Sequence, residues 1–335
     1  MNCFRSIFLL SLLALPARAE TVIKFATLAP DGSTWAKVMS DLDKELQSKT
    51  GGQVRFKFYW GGVQGDEKDV VRKMRLGQLQ SAGITGMGLG EVAPELRVLD
   101  VPFLFRSPAE VDYVLKTFDK DFRAALDSKG FALLGWTEVG FVHLFTKTPV
   151  RSVADLKNVK MWVAEGDPVA ETLFQEAAIH PIPLSITDVM TSMETGLING
   201  VYCSPMAALA LQRHAKMKYV SEVPITYASG AVIVSKKVVD GLTPGQRKSL
   251  FDAGASQLRR LTALGREENR QAIETLKKEG LSLQPPASAD SVREMEQIGA
   301  RARKDMAGRL YSPELLAKIE KALGDFRAKN HAKKP

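Results

Sequence analysis

An α/β chain built as two lobes with a cleft between them is what this sequence predicts, and three observations predict it. Short apolar runs of strand character alternate with helical patterns from Thr21 to Ser235, as βα units do when helices cover largely parallel sheets. The alternation starts twice, at Thr21 and again near Asp155, so two such units are expected. A helical pattern opened by Thr243-Pro244 then runs with few breaks to Lys278. At ~1.5 Å per residue it reaches about 50 Å, longer than one small domain, so it either packs across both lobes or breaks near Gly265.

Taken in order, residues 21–26 read as a strand. Trp35, Val38, Met39, Leu42 and Leu46 follow at helical spacing, with Ser33 as N-cap and Gly51-Gly52 as the stop. Val54, Phe56 and Phe58 alternate with Arg55 and Lys57, a second strand. A short helix over 66–76 leads to a strand over 81–87. Ser107-Pro108 opens a helix as N-cap and N1, burying Val111, Val114, Leu115 and Phe118. Two separate strands are read at 131–136 and 141–146. The second series has a strand over 158–164, a helix over 168–178 capped by Asp167, a helix over 187–195 and a strand over 197–203. A strand at 230–235 returns the chain. The division expected is a first lobe of 20–145 plus 232–275, a second of 146–231 plus 276–325, and a basic tail of 326–335. In that tail Arg327, Lys329, Lys333 and Lys334 read as a solvated, frayed end.

The N-terminus reads as an export signal. Arg5 is a small positive n-region, Ser6 to Leu15 an apolar stretch, and Ala17-Arg18-Ala19 an A-x-A cleavage site. An apolar run of about ten residues is half of the roughly 20 that span a bilayer. Cleavage near Ala19-Glu20 into the periplasm is therefore expected. It removes Arg5 and Arg18 and lowers the net charge from +8 by two. Only Cys203 then remains, which excludes an internal disulfide even in an oxidising compartment. With 45% hydrophobic residues the chain can build a core in each lobe instead. The basic excess is interspersed with Asp and Glu and not interleaved with aromatics, so nucleic acid is not an expected partner.

Catalytic and cofactor motifs fail in turn. Gly83, Gly86, Gly88 and Gly90 follow a strand, and Gly88-Leu-Gly90-Glu-Val-Ala93 loosely matches a dinucleotide fingerprint. That fingerprint needs a helix N-terminus directly after the glycines, and Pro94 argues against a sustained helix there. Close backbone approach is the better reading of these glycines. His143, His180, His214 and His331 are far apart and have no metal-ligand neighbours at useful spacing. Cys203 and His214 could form a thiol–imidazole pair, but a lone Cys at a strand end is more often a small buried residue. No G-x-S-x-G elbow is present. No cofactor, metal or enzymatic activity is expected; a two-lobed exported chain without a catalytic constellation is expected to bind.

The segments TLAPDGSTWAKV, GGQVRFKFYWGGVQGDEKDVVRKMRLGQL, VLDVPFLF, DLKNVKMWV and PIPLSITDVMTSMETGLINGVY, in this order, resemble the DctP-type substrate-binding subunit of TRAP (tripartite ATP-independent periplasmic) transporters. The resemblance covers nearly all of the chain after the signal. It implies a two-lobed periplasmic binding protein fold with a hinge, a long helix packing across both lobes, closure around one small-molecule ligand, and delivery to the subunits of a membrane permease.

The departures shape the expected ligand. In carboxylate-binding members the segment matching DLKNVKMWV ends in an arginine that clamps the substrate carboxylate; Trp162 stands there. The family's second basic position falls at Val142, beside Phe141, its acidic pocket residue near Met87, the asparagine of E-N-P at Ser204, and the aromatic before the E-V-Y helix at Ile186. Asp188 takes the place of that helix's glutamate, and Trp35 lies in the first matched segment. A carboxylate closed into a cleft without a cation loses several kcal/mol of hydration. The expected site is therefore an apolar or aromatic one, with Trp162 offering a π-face and one indole donor. Glu165 is considered as an acceptor for an amine beside Trp162. A tetratricopeptide-repeat periplasmic partner would accompany an apolar-ligand branch. Two other readings stay open: an organic-acid receptor whose cation is Arg97, Lys147 or a bound metal, and a stand-alone exported lipid carrier or enzyme.

Overall fold

Alternation in the first strands turns Ile23 and Phe25 of β1 (Thr21–Thr27) and Val54 and Phe56 of β2 (Val54–Tyr59) to one side, where they meet Val38, Met39, Leu42 and Leu46 of the helix Thr34–Thr50. That helix is capped by Ser33, which accepts from the Ala36 amide, and stopped by Gly51 in the left-handed conformation, as its sequence predicts. The computed structural model describes residues 20–331; the expected signal peptide and residues 332–335 lie outside the described residues.

The remaining strands are β3 (Ser81–Thr85), β4 (Phe131–Thr146), β5 (Trp162–Ala164), β6 (Ile182–Leu184), β7 (Gly200–Cys203), β8 (Tyr219–Ser221), β9 (Thr226–Ser235) and β10 (Ser282–Gln284). In the first lobe the order is β2-β1-β3-β9-β4, parallel through β2, β1 and β3 and antiparallel at β9. Cores lie on both faces of this sheet. In the second lobe the far half of β4 pairs antiparallel with β7 and β8, β10 adds to β8, and parallel β5 and β6 join β7 through a Met161–Gly200 bridge.

The two strands expected at 131–136 and 141–146 are halves of β4, which crosses from one lobe to the other. Its register against β9 slips at Leu133/Gly135 and Glu138/Gly140, which leaves Leu134 and Val139 as bulges, while the polar Thr137 and Glu138 between the halves stay paired with Gly230 and Ser229 and form no loop. Gly140 takes φ +107, and a Cβ there would stand 2.8 Å from the Asn269 side chain. β9 also starts four residues earlier than its apolar run suggests and crosses beside β4.

The long helix Pro244–Lys278 is continuous through Gly265, opened by a capping box between Thr243 and Gln246. It packs on the helix Thr34–Thr50 and on β4, and it also reaches the second-lobe helix Pro205–Ala210. Beyond it two helices were not anticipated. Ala289–Met306 packs on the second-lobe helix Pro168–Glu176, but Pro313–His331 packs on Pro108–Thr117. Tyr311, Leu316, Ile319 and Leu323 belong to the first lobe's core, so the end of the chain returns to the first lobe instead of completing the second. Arg327 is likewise no part of a frayed tail: it donates to both Glu110 oxygens (2.9 and 2.7 Å) and to the Leu104 carbonyl. Pairing with Arg327 holds Glu110 below its usual range, against the effect of burial.

His143 of β4 hydrogen-bonds through Nδ1 to the Ser221 carbonyl, and burial pushes its pKa below 6.5. The unfolded chain therefore takes up this proton first as pH falls. Stability from the neutral ring is complete above about pH 6.5 and is lost as pH drops toward the folded-state value. His143→Gln should flatten the wild-type decline in urea midpoint between pH 7 and 5.5; an unchanged profile would assign the decline to other groups.

Candidate functional site

The C-terminal ends of β1, β3 and β5 point into a cleft between the lobes, the usual ligand position in open α/β sheets. The cleft has a volume of about 290 Å³ and is floored by Leu261, Gly265 and Glu268 of the long helix. Trp35, Thr85 and Met87 line it from the first lobe, Val142 and Tyr227 from the crossing strands, and Trp162, Ile186, Tyr202 and Ser204 from the second.

Six residues singled out by sequence, Trp35, Met87, Val142, Trp162, Ile186 and Ser204, thus come together at one cavity. Three do not. Phe141 faces the other side of β4, stacked edge-on against Tyr227. Glu165 and Asp188 are exposed and line no part of the cleft, which removes the amine-accepting role considered for Glu165. Ser204 is fully buried, and its hydroxyl caps the helix Pro205–Ala210 through the Ala207 amide. Trp162 is only 3% exposed; its indole N–H, expected to be free for a ligand, donates to the Leu184 carbonyl at 3.0 Å. Its ring stacks on Tyr202 with centroids 5.0 Å apart.

Most charged groups of the cleft, Glu67, Asp100, Glu138 and Arg213 among them, were not legible in sequence. Glu67 accepts from the Thr85 amide and hydroxyl (both 2.7 Å) and from the Gly88 amide (2.8 Å), capping the short helix Gly86–Val92; burial nonetheless raises its pKa. The glycines of the loose dinucleotide match lie inside this helix. Their role is close approach: a Cβ on Gly86 would fall 1.6 Å from Asp100 Oδ2, and one on Gly90 2.6 Å from Arg97 Cδ.

Arg97, named above as a candidate cation, is instead paired with two carboxylates, its Nε alone lacking a hydrogen-bond partner. It donates to Asp167 Oδ1 at 2.5 Å and lies 3.4 Å from Asp100 Oδ2. Burial opposes its charge, but the Asp167 and Asp100 carboxylates outweigh that and raise its pKa. Asp167 is both the expected helix cap, accepting from the Val169 amide, and the second-lobe end of an ion pair that ties the lobes across the cleft. Asp100 also accepts from the Ser229 amide at 2.7 Å, yet burial still lifts its pKa. Lys147, the other expected cation, lines no part of the cleft and donates to the Met193 carbonyl. Glu138 is held by Arg266 and the Tyr227 hydroxyl.

Arg213 remains. It lines the cleft, is 3% exposed, and its guanidinium lies 4.9 Å from the Trp162 ring centroid. No carboxylate among the described residues pairs with it; it acts on the buried Cys203, whose thiol pKa burial raises, against the pull of Arg213. The indole face offsets about 2 kcal/mol of desolvation, less than the several kcal/mol a buried ion loses. The sequence signal was weak: Arg213 sits in a basic run with His214, Lys216 and Lys218, which reads as a solvated face. His214, for its part, hydrogen-bonds the Ala208 carbonyl and forms no pair with Cys203.

Two lobes joined by crossing strands around a small enclosed cleft define an extracellular solute-binding protein. The chain belongs to the DctP family, bacterial extracellular solute-binding protein, family 7, whose profile matches residues 25–305. It is similar to the 2,3-diketo-L-gulonate-binding periplasmic protein YiaO of Escherichia coli, 26% identical over 253 residues, 74% of this chain and 75% of that protein. The C4-dicarboxylate-binding periplasmic protein DctP of Rhodobacter capsulatus is 23% identical over 316 residues, 93% of this chain and 94% of that one. Among solved structures, the sugar acid binding protein of Advenella mimigardefordensis in complex with galactonate matches with TM-score 0.85 at 19% identity, covering 92% of this chain and 99% of that one. The chain is thus a bacterial extracellular solute-binding protein, a binding protein and not an enzyme. No helix among the described residues is long and apolar enough to cross a membrane.

Proposed function

We propose that this receptor takes a small organic acid, and that the uncharged apolar ligand suggested by the exchange of arginine for Trp162 is the wrong class. The observation that carries this reading is the buried guanidinium of Arg213, which faces the cleft with no carboxylate among the described residues to neutralise it. An anionic ligand would relieve that deficit; a neutral one would leave it. The named relatives bind organic acids, in keeping with the reading. A metal-bridged carboxylate has no support, since no group of three His, Cys, Asp or Glu among the described residues could hold an ion. Trp162, Met87, Val142 and Ile186 would wall the body of the ligand. The tetratricopeptide-repeat partner expected of an apolar-ligand branch is not part of this reading.

A thermal-shift screen of organic acids against their neutral amides and alcohols tests it. A ligand at 100 times its Kd adds ~2.7 kcal/mol and should raise the melting temperature by several degrees. A response confined to the neutral compounds would overturn the proposal. Trp162→Ala should weaken binding of the best acid by about tenfold or more, since the ring supports both the pocket wall and the cation; titration calorimetry showing equal affinity would make Trp162 a core residue only.

A further inference from the structure

We infer that the carboxylate clamp of this receptor has moved from the strand end at position 162 to Arg213, with Trp162 as its platform, and that the ligand is a monocarboxylate with an apolar body. The inference rests on the organic-acid reading and adds the residue and the acid class.

Arg213 opens a short 3-10 turn, Arg213–Lys216, immediately after Gln212, which stands in the left-handed region at φ +54. The turn begins where the helix Pro205–Ala210 ends, so the reversal brings a basic side chain back toward β5 and β7. There the guanidinium lies against the Trp162 ring and Cys203. The indole is itself fixed by its hydrogen bond to Leu184 and by the Tyr202 stack, so the platform is rigid. A guanidinium lying on an aromatic face keeps its N–H edge free for a carboxylate, because the ring occupies only its flat side.

The rest of the cleft sets the class. Arg97, the other buried guanidinium lining it, has its charge neutralised by Asp100 and Asp167, although its Nε makes no hydrogen bond, so among the described residues only Arg213 offers an unmatched charge to a carboxylate. Glu67, Glu138 and Asp167 already hold their donors, and Met87, Val142, Leu173, Ile186, Ala207 and Leu261 supply walls without polar atoms. A hydroxyl of a sugar acid set against those walls would lose its water and gain no partner, which leaves only the few polar groups of the lining, such as Thr34, Thr137 and Asp100 Oδ2, to receive one. A dicarboxylate would bring a second charge into the same apolar wall.

The test uses the purified exported chain with phenylacetate and 4-methyl-2-oxopentanoate, phenylacetamide as neutral isostere, and D-galactonate and succinate as the excluded classes. Calorimetry should give an apolar monocarboxylate an affinity about tenfold or more above all three controls. Arg213→Met should weaken that acid by about 30-fold or more and leave phenylacetamide within about threefold. The same variant should raise the melting temperature of the ligand-free protein by about 2–6 °C, because it removes an uncompensated buried charge. Arg213→Lys, which keeps the charge without the fork, should retain part of the affinity and guards against a folding defect. If wild type binds a carboxylate and both variants keep its affinity, the assignment of Arg213 is wrong while the organic-acid reading stands. If galactonate or succinate binds best and depends on Arg213, the residue is right and the acid class wrong. If none of the acids binds, both fall.

Discussion

Replacing Arg97 by Met should be the most destabilising single substitution at the cleft, lowering stability by about 3–5 kcal/mol, because it leaves Asp100 and Asp167 buried without their cation. At roughly 2 °C per kcal/mol for a chain of this length, the melting temperature should fall by about 6–10 °C. The loss should depend on pH in a stated direction. Burial already raises the Asp100 pKa above its ordinary value, so the folded state holds this proton more tightly than the unfolded state does. Stability from that group is full below the unfolded value of about 3.8 and declines as pH rises through the folded one. Without Arg97 the folded pKa rises further, so the gap between variant and wild type should be wider at pH 8 than at pH 5. Adding Asp167→Asn removes one of the stranded charges and should recover part of the loss; a double variant no better than the single would show that the pair is not coupled. Because Asp167 belongs to the second lobe, the single variant should also loosen the two lobes, readable as faster hydrogen exchange at Ala164 to Val169.

Gly86→Ala should cost about 3 kcal/mol or more for a steric reason that acts on the same cluster. The added methyl would fall 1.6 Å from Asp100 Oδ2 and 2.4 Å from its Cγ. The carboxylate would have to leave its hydrogen bond with the Ser229 amide and its contact with Arg97. Asp100 has no open space to retreat into, being 6% exposed. Gly245→Ala, whose Cβ meets nothing within 4 Å, is the control and should stay within about 0.5 kcal/mol of wild type. If Gly86→Ala melted like wild type in denaturant, the tight approach of helix and carboxylate would be refuted. Gly83 poses a similar case on the cleft wall, where a Cβ would meet the Trp35 ring at 2.1 Å.

Much of this was visible in the sequence because it follows from local rules. Ser33, Ser107, Asp167 and Thr243 all cap the helices that their spacing announces, and the apolar stripe of each helix is the face that packs. The family motifs placed Trp162, Met87, Val142, Ile186, Ser204 and Trp35 around one cavity, since each sits at a strand end or helix start that the fold directs inward. Phe141 failed because one step along a strand reverses the face. Glu165 failed because it lies beyond the strand end, in the exposed turn before the Asp167 cap.

What only tertiary structure decided is where the charges go. Arg97 and Asp167 are 70 residues apart and meet because they belong to facing lobes; nothing in the periodicity of either segment announces a partner. Arg213 and Trp162 likewise come together only when the turn after the helix Pro205–Ala210 folds back over β5. A local pattern records which way a side chain points from its own backbone, and that sufficed for the helices, the strand faces and the absence of an arginine at position 162. Whether a charge is buried, paired or free depends on distant segments and on the water they exclude, which is why the buried guanidinium of Arg213, on which the proposed ligand class rests, emerged only from the folded chain.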